Sequence, residues 1–216
     1  MIDIASPSLG DDEIQAVADV LNSGRLVQGP KVASFEDAFA SYVGTKHAIA
    51  VNSGTAALHV ALLAAGVGAG DEVITTPFSF IATANAILYC NARPVFVDID
   101  GMTFNIDASL IRKAITNRTK AVLIVHLYGQ PCDMDEIVSV CDEHNLILIE
   151  DACQAHGAEY RGKKVGSYGI GCFSLYATKN ITTGEGGIVT TDSADFASRV
   201  RTIRSHGQTE GIYTRH

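Results

Sequence analysis

Short apolar runs alternate along the chain with segments of helical periodicity, and this alternation is the feature that most constrains the fold. Because sheets built this way have helices on both faces, the pattern predicts an α/β fold. We expect a mainly parallel seven-stranded sheet sandwiched by helices. The predicted strands lie near Ala48 to Val51, Glu72 to Thr75, Pro94 to Val97, Ala121 to Val125, Leu146 to Ile149, Gly171 to Ser174 and Ile188 to Thr190.

The helical segments begin and end at local signals. Asp11 or Asp12 can cap a helix that runs to about Asn22 and carries one apolar face. The segment from Gly24 to Pro30 then breaks it. Further helices are predicted at Val32 to Tyr42, Thr55 to Ala64, Ser79 to Tyr89, Ala108 to Ala114 and Met134 to His144.

Composition excludes several classes of protein. The chain of 216 residues can bury a sizeable core, and it contains no apolar run of membrane-spanning length. A formal net charge of -8 disfavours nonspecific nucleic-acid binding. The five cysteines are odd in number and lack a CxxC pair, which argues against a disulfide framework or a zinc site. Because the N-terminus lacks a basic start and an apolar signal core, we expect a cytoplasmic protein.

Two predicted strands end next to residues that bind ligands in many proteins. Leu146 to Ile149 is followed by Glu150 and Asp151, whereas Ala48 to Val51 is followed by Asn52-Ser53-Gly54-Thr55. Ligands of open parallel sheets gather beyond the carboxyl ends of strands. Small residues at a helix start let the backbone approach an anion, and the helix dipole favours that anion. The second segment therefore predicts a phosphate site.

Lys179 lies just before the glycine-rich loop Gly184 to Gly187. An amine that forms an imine, with a carboxylate that keeps a pyridine nitrogen protonated, is what pyridoxal phosphate (PLP) chemistry requires. Taken alone, most loop lysines are solvated charges, and most Glu-Asp pairs after a strand are helix starts or surface turns. The combination of Lys179, Asp151 and a phosphate site favours an enzyme.

These segments, in this order, resemble the DegT/DnrJ/EryC1/StrS family of nucleotide-sugar aminotransferases, which are fold-type I PLP enzymes. The number and order of the matches argue against coincidence. The matching stretches are Gly29-Pro30, Asn52 to Leu58, Asp71 to Ile74, Thr76 to Phe80, Pro94 to Asp98, Val125 to Gly129, Glu150 to Ala152, Gln154 to Gly157, Ser174 to Gly187 and Arg204 to Gly207.

The resemblance implies two catalytic residues. Lys179 forms the imine with PLP and later moves a proton between the substrate carbon and the cofactor, whereas Asp151 pairs with the pyridinium nitrogen. Arginine could not replace Lys179, because a guanidinium group does not form imines. Related sugar dehydratases carry histidine where the aminotransferases carry this lysine, so Lys179 favours transamination.

The same resemblance implies further cofactor contacts. Gln154 matches a position close to the ring hydroxyl, and Ser174 matches a phosphate ligand. Gly54 and Thr55 are expected to donate backbone and hydroxyl hydrogen bonds to the same phosphate. Phe80 corresponds to an aromatic residue that stacks on the pyridine ring. Without the resemblance, Phe80 would be interpreted as helix core, since buried aromatic residues are common.

Other polar residues have a structural interpretation. Glu150 is interpreted as a polar strand end, and His126 and His206 as hydrogen-bonding groups of the scaffold. His156 is a weaker candidate for the pocket wall, and no metal site is expected. Three arginines are interpreted as one face of a solvated helix: Arg199, Arg201 and Arg204.

The resemblance implies a reaction in two halves, in which glutamate aminates the cofactor and the cofactor aminates a nucleotide-linked ketosugar. Relatives are homodimers and continue past Arg204 to Gly207 into a smaller domain, so residues 1–216, with segment 1–30 included, are expected to form the cofactor-binding large domain without that C-terminal domain. Two alternatives stay open: a noncatalytic PLP-binding module, and another fold-type I PLP enzyme acting on amino acids, such as a cysteine desulfurase.

Overall fold

A twisted sheet forms the centre of the molecule, and its strand order brings the first strand beside the last. The computed structural model describes residues 5–208. Within this range the sheet has seven strands in the order β1-β9-β8-β5-β4-β2-β3. Their bounds are β1 His47–Val51, β2 Glu72–Thr75, β3 Arg93–Phe96, β4 Thr119–Val125, β5 Ile147–Asp151, β8 Ile170–Ser174 and β9 Gly187–Thr191; a separate hairpin contains β6 Glu159–Tyr160 and β7 Lys163–Lys164.

The sheet is parallel except at one strand. β9 runs antiparallel to both of its neighbours, β1 and β8, whereas the other neighbouring pairs are parallel. The prediction of a mainly parallel seven-stranded sheet is confirmed.

Helices cover both faces of this sheet. Apolar side chains of α3, α4 and α7 pack on one face, and those of α2, α5 and α6 pack on the other. In the described part of the chain, no helix combines the length and apolar character needed to cross a membrane. The helices are α1 Asp11–Ser23, α2 Pro30–Val43, α3 Gly54–Ala64, α4 Ala82–Tyr89, α5 Ala108–Ala114, α6 Met134–His144 and α7 Ala194–Arg204.

Two of the predicted boundaries that differ from the structure concern the candidate site. β5 does not end at Ile149 but continues to Asp151, because the backbone there still pairs with β4 and β8. α4 begins at Ala82 rather than Ser79. Phe80 therefore lies in the loop before the helix with 70% of its surface exposed, and its interpretation as helix core was wrong.

The interpretation of the C-terminal arginines as a solvated face was wrong for Arg204. Its side chain is largely buried and ion-paired with Glu36. The same guanidinium group also donates a hydrogen bond to the carbonyl oxygen of Ala50 at 3.0 Å. Arg204 thus ties α7 to α2 and to the sheet near the end of β1.

Candidate active site

A cavity of about 410 Å³ opens at the carboxyl ends of the parallel strands. Val125, Asp151 and Ser174 reach it from the last positions of β4, β5 and β8, and Gly54 reaches it from the turn after β1. The residues named from the sequence as cofactor contacts all line this cavity: Gly54, Thr55, Phe80, Asp151, Gln154, Ser174 and Lys179.

The start of α3 forms one wall of the cavity. Ser53 caps this helix, and its hydroxyl oxygen accepts a hydrogen bond from the amide of Ala56 at 3.0 Å. A Cβ atom at Gly54 would lie 2.6 Å from the Cβ of Ser174 and 3.1 Å from its hydroxyl oxygen. Only glycine allows the helix start and the Ser174 hydroxyl to lie this close together. Unpaired helix amides beside a hydroxyl are suited to a phosphate group.

Asp151 presents a carboxylate to the cavity from a nearly buried position, with 6% of its surface exposed. Its Oδ1 accepts a hydrogen bond from the Cys153 amide at 3.2 Å. Its Oδ2 accepts one from the hydroxyl of Thr83 at 2.8 Å. Thr83 was missed from the sequence, because its hydroxyl sits in an ordinary helical pattern and its partner lies far along the chain.

Glu150 points to the opposite face of the sheet and is fully buried. Its carboxylate accepts hydrogen bonds from the amides of Gly166, Tyr168 and Gly169 at 2.7 to 2.8 Å. It also lies 3.1 Å from Nε2 of His126. These contacts agree with the structural interpretation of Glu150 and His126.

The hydrogen-bond roles of the two His126 ring nitrogens follow from their contacts. The amide of Cys132 donates to Nδ1 at 3.1 Å, so Nδ1 is the acceptor. Nε2 is therefore the N–H group, and it donates a hydrogen bond to Glu150.

The loop that carries Lys179 is held by backbone contacts at Leu175. The Leu175 amide donates to the carbonyl of Gly186 at 2.8 Å, and its carbonyl accepts from the Thr183 amide at 3.0 Å. Lys179 is partly buried, and its own amide donates to the carbonyl of Tyr176 at 2.9 Å. These contacts close the loop and hold the backbone of Lys179 at the cavity wall.

Gln154 offers a hydrogen-bond donor to the cavity. Its side-chain oxygen accepts the backbone amide of Tyr128 at 2.9 Å. Tyr128 adopts a left-handed backbone conformation with a φ of 56°, which turns this amide toward Gln154. The oxygen of Gln154 thus faces Tyr128, and its amide nitrogen can donate a hydrogen bond to a ligand.

Burial disfavours the charged forms of two further residues near the site. His156 does not line the cavity; its ring packs against Phe173 with the centroids 5.5 Å apart. Burial lowers the pKa of His156, which favours the neutral ring. Cys153 does line the cavity, and burial raises the pKa of its thiol well above the ordinary value. Neither group is suited to act as a charged catalyst at neutral pH.

The α/β sheet brings an amine, a carboxylate and a helix start around one cavity. Its solved structural neighbours, with TM-scores of 0.91 and 0.90, place this sheet in the class of fold-type I PLP enzymes. The sequence profile of the DegT/DnrJ/EryC1/StrS aminotransferase family matches residues 7–216. The chain belongs to this family, whose members depend on PLP.

Two curated proteins and one solved structure show how similar this chain is to known proteins. The spore coat polysaccharide biosynthesis protein SpsC of Bacillus subtilis is 50% identical over 211 residues, which are 97% of this chain and 54% of SpsC. The GDP-perosamine synthase of Caulobacter vibrioides is 50% identical over 208 residues, 95% of this chain and 56% of the synthase. The PLP form of Spr1654 from Streptococcus pneumoniae gives a TM-score of 0.92 at 32% identity, over 98% of this chain and 59% of Spr1654. The chain spans about half the length of the curated relatives it matches.

Proposed function

We propose that this chain is the cofactor-binding large domain, residues 1–216, of a PLP-dependent aminotransferase. The enzyme moves an amino group from glutamate to the keto group of a nucleotide-linked sugar. One observation carries the proposal: the amine of Lys179 and the carboxylate of Asp151 belong to one cavity, with the start of α3 beside them. The name of the Caulobacter relative, GDP-perosamine synthase, supports a nucleotide-activated amino sugar as product.

The wall of the cavity has the donors and acceptors that PLP needs. The helix start at Gly54 and Thr55 and the hydroxyl of Ser174 would hold the phosphate. Phe80 would cover a face of the ring, and the amide nitrogen of Gln154 would donate to the ring hydroxyl. When bound, PLP supplies an electron sink for the charge left on a substrate carbon that loses its proton.

Asp151 and Lys179 divide the proton chemistry between them. The carboxylate of Asp151 would keep the ring nitrogen protonated through a charge-assisted hydrogen bond, which its burial strengthens. The amine of Lys179 would hold the cofactor, release it to the incoming amino group, and then carry a proton to and from the substrate carbon.

The proposal includes a homodimer in the cytoplasm. Aromatic side chains are exposed at the cavity and near it, which supports a partner surface there: Phe78, Phe80, Phe104 and Tyr128. Light scattering of the purified chain would measure the mass of the assembly.

The decisive experiment compares the absorbance of the purified chain with PLP before and after glutamate is added. Borohydride reduction followed by peptide mass spectrometry should place the cofactor on Lys179. The Lys179→Ala variant is expected to lose both the absorbance of bound PLP near the edge of the visible range and the covalent label. Lys179→Arg keeps the positive charge without imine chemistry and should show the same loss. Labelling of another lysine in the parent chain would contradict the assignment.

The same spectra separate the alternative functions. A Lys179-bound cofactor that glutamate never converts would favour a noncatalytic PLP-binding module. Conversion by cysteine but not by glutamate would favour a different fold-type I enzyme.

A further inference from the structure

A chain of three side-chain oxygens runs from the cavity wall to the carboxylate of Asp151. The hydroxyl of Ser79 lies 2.8 Å from the hydroxyl of Thr83. The Thr83 hydroxyl in turn lies 2.8 Å from Oδ2 of Asp151. Ser79 lines the cavity, whereas Thr83 is buried on the first turn of α4 with 1% of its surface exposed.

The direction of the hydrogen bonds in this chain is fixed by chemistry. An ionised carboxylate only accepts, so the single hydroxyl proton of Thr83 must point to Asp151. The oxygen of Thr83 is then an acceptor for Ser79, which must donate. Both hydroxyl groups therefore point their hydrogen atoms toward the carboxylate, and each of the two hydrogen bonds strengthens the other.

We propose that Thr83 is a positioning residue that orients the Asp151 carboxylate for the cofactor ring nitrogen, and that Ser79 extends this control to the loop carrying Phe80. With Oδ2 held by Thr83 and Oδ1 by the Cys153 amide, the carboxylate cannot rotate without losing a hydrogen bond. Ser79 and Phe80 are adjacent in the chain. Thr83 therefore connects, through Ser79, the loop whose Phe80 would cover the ring with the Asp151 carboxylate that would bind the ring nitrogen. This role rests on the proposed function, because it requires PLP in the cavity.

Thr83→Val tests the role, because valine keeps the shape of threonine and removes the hydroxyl. We expect PLP affinity, measured by absorbance titration, to fall about 5- to 10-fold, the value of one hydrogen bond. The rate at which glutamate converts the bound cofactor, measured by stopped-flow absorbance, should also fall about 5- to 10-fold, because Thr83 no longer holds Oδ2 of Asp151 in place.

Thr83→Ser and Thr75→Val are the matched controls. Thr83→Ser restores the hydroxyl and should restore both the affinity and the conversion rate. Thr75→Val also removes a buried hydroxyl, which donates to the Leu123 carbonyl at 2.7 Å. It should lower thermal stability while leaving PLP affinity and the conversion rate unchanged.

The outcomes are distinct. If Thr83→Val matches Thr75→Val in both cofactor measurements, or if Thr83→Ser is as defective as Thr83→Val, the positioning role is overturned while the proposed function stands. If the parent chain gives no Lys179-dependent absorbance, the proposed function fails and the role of Thr83 fails with it. If Thr83→Val does not fold, the Ser79→Ala variant tests the positioning role instead. A loss of PLP affinity of about 2- to 3-fold supports this role, and an unchanged affinity overturns it.

Discussion

Glu150 and Asp151 are neighbours in the chain but belong to two regions of different character. Because successive side chains of a strand point to opposite faces, β5 sends Glu150 under the sheet and Asp151 into the cavity. Glu150 receives three amides and the His126 ring, whereas Asp151 receives one amide and one hydroxyl. A saturated carboxylate is part of the scaffold, and one with acceptor capacity left at a cavity can bind a ligand.

Glu150→Ala should destabilise the region around Glu150, and this loss of stability is the largest effect we expect. The buried amide of Gly166, the part-buried amides of Tyr168 and Gly169, and Nε2 of His126 would lose their acceptor. The free energy of unfolding should fall by about 3–5 kcal/mol in urea denaturation. Glu159→Ala is the control, because that carboxylate is half-exposed and pairs with Lys164 at 3.4 Å. It should cost less than about 1 kcal/mol. Equal losses in the two variants would refute the scaffold role of Glu150.

Asp151→Asn should have the opposite pattern of effects, with little change in stability and a large loss of reaction rate. The amide keeps the shape of the carboxylate and can still pair with Thr83, so the free energy of unfolding should change by less than about 1 kcal/mol. The rate at which glutamate converts the bound cofactor should nevertheless fall about 10²- to 10³-fold, because the ring nitrogen loses its anionic partner. Stopped-flow absorbance measures this rate, and an unchanged rate would remove Asp151 from the chemistry.

Gly54→Ala tests the wall of the cavity, and it should have the smallest effect of the three substitutions. The new methyl group would overlap the side chain of Ser174, so we expect weaker PLP binding and a loss of about 1–3 kcal/mol in stability. Gly68→Ala is the control, because nothing lies within 4 Å of its added Cβ. The prediction is wrong if the two variants bind PLP equally well.

Apolar periodicity was sufficient to predict the seven strands of the central sheet, because most of them are short runs of largely buried residues. It could not predict the strand order. β9 lies antiparallel between β1 and β8, and a buried strand has the same apolar pattern in either direction. The end of β5 was missed for a related reason, since Glu150 and Asp151 are polar residues inside a paired strand.

The candidate site was predictable where residue type limits the chemistry, and less so where only geometry does. Lys179 and Asp151 could be named as candidates from the sequence because the family resemblance assigns their roles and because few side chains form imines or pair with a protonated ring nitrogen. Thr83 could not, because a helical threonine is common and its contact with Asp151 crosses 68 residues. The pairing of Arg204 with Glu36 crosses 168 residues and was missed for the same reason.

The position of β9 has a consequence for how the molecule is assembled. β1 is joined to the sheet by pairing with β9, so His47 finds its partner Thr191 near the far end of the described chain. Contacts between such distant segments form slowly, because a long stretch of polypeptide must first be ordered. On the ribosome, the turn after β1, where we propose that the phosphate binds, would wait for β9 to emerge. Capture of the cofactor would then report that β1 has paired with β9.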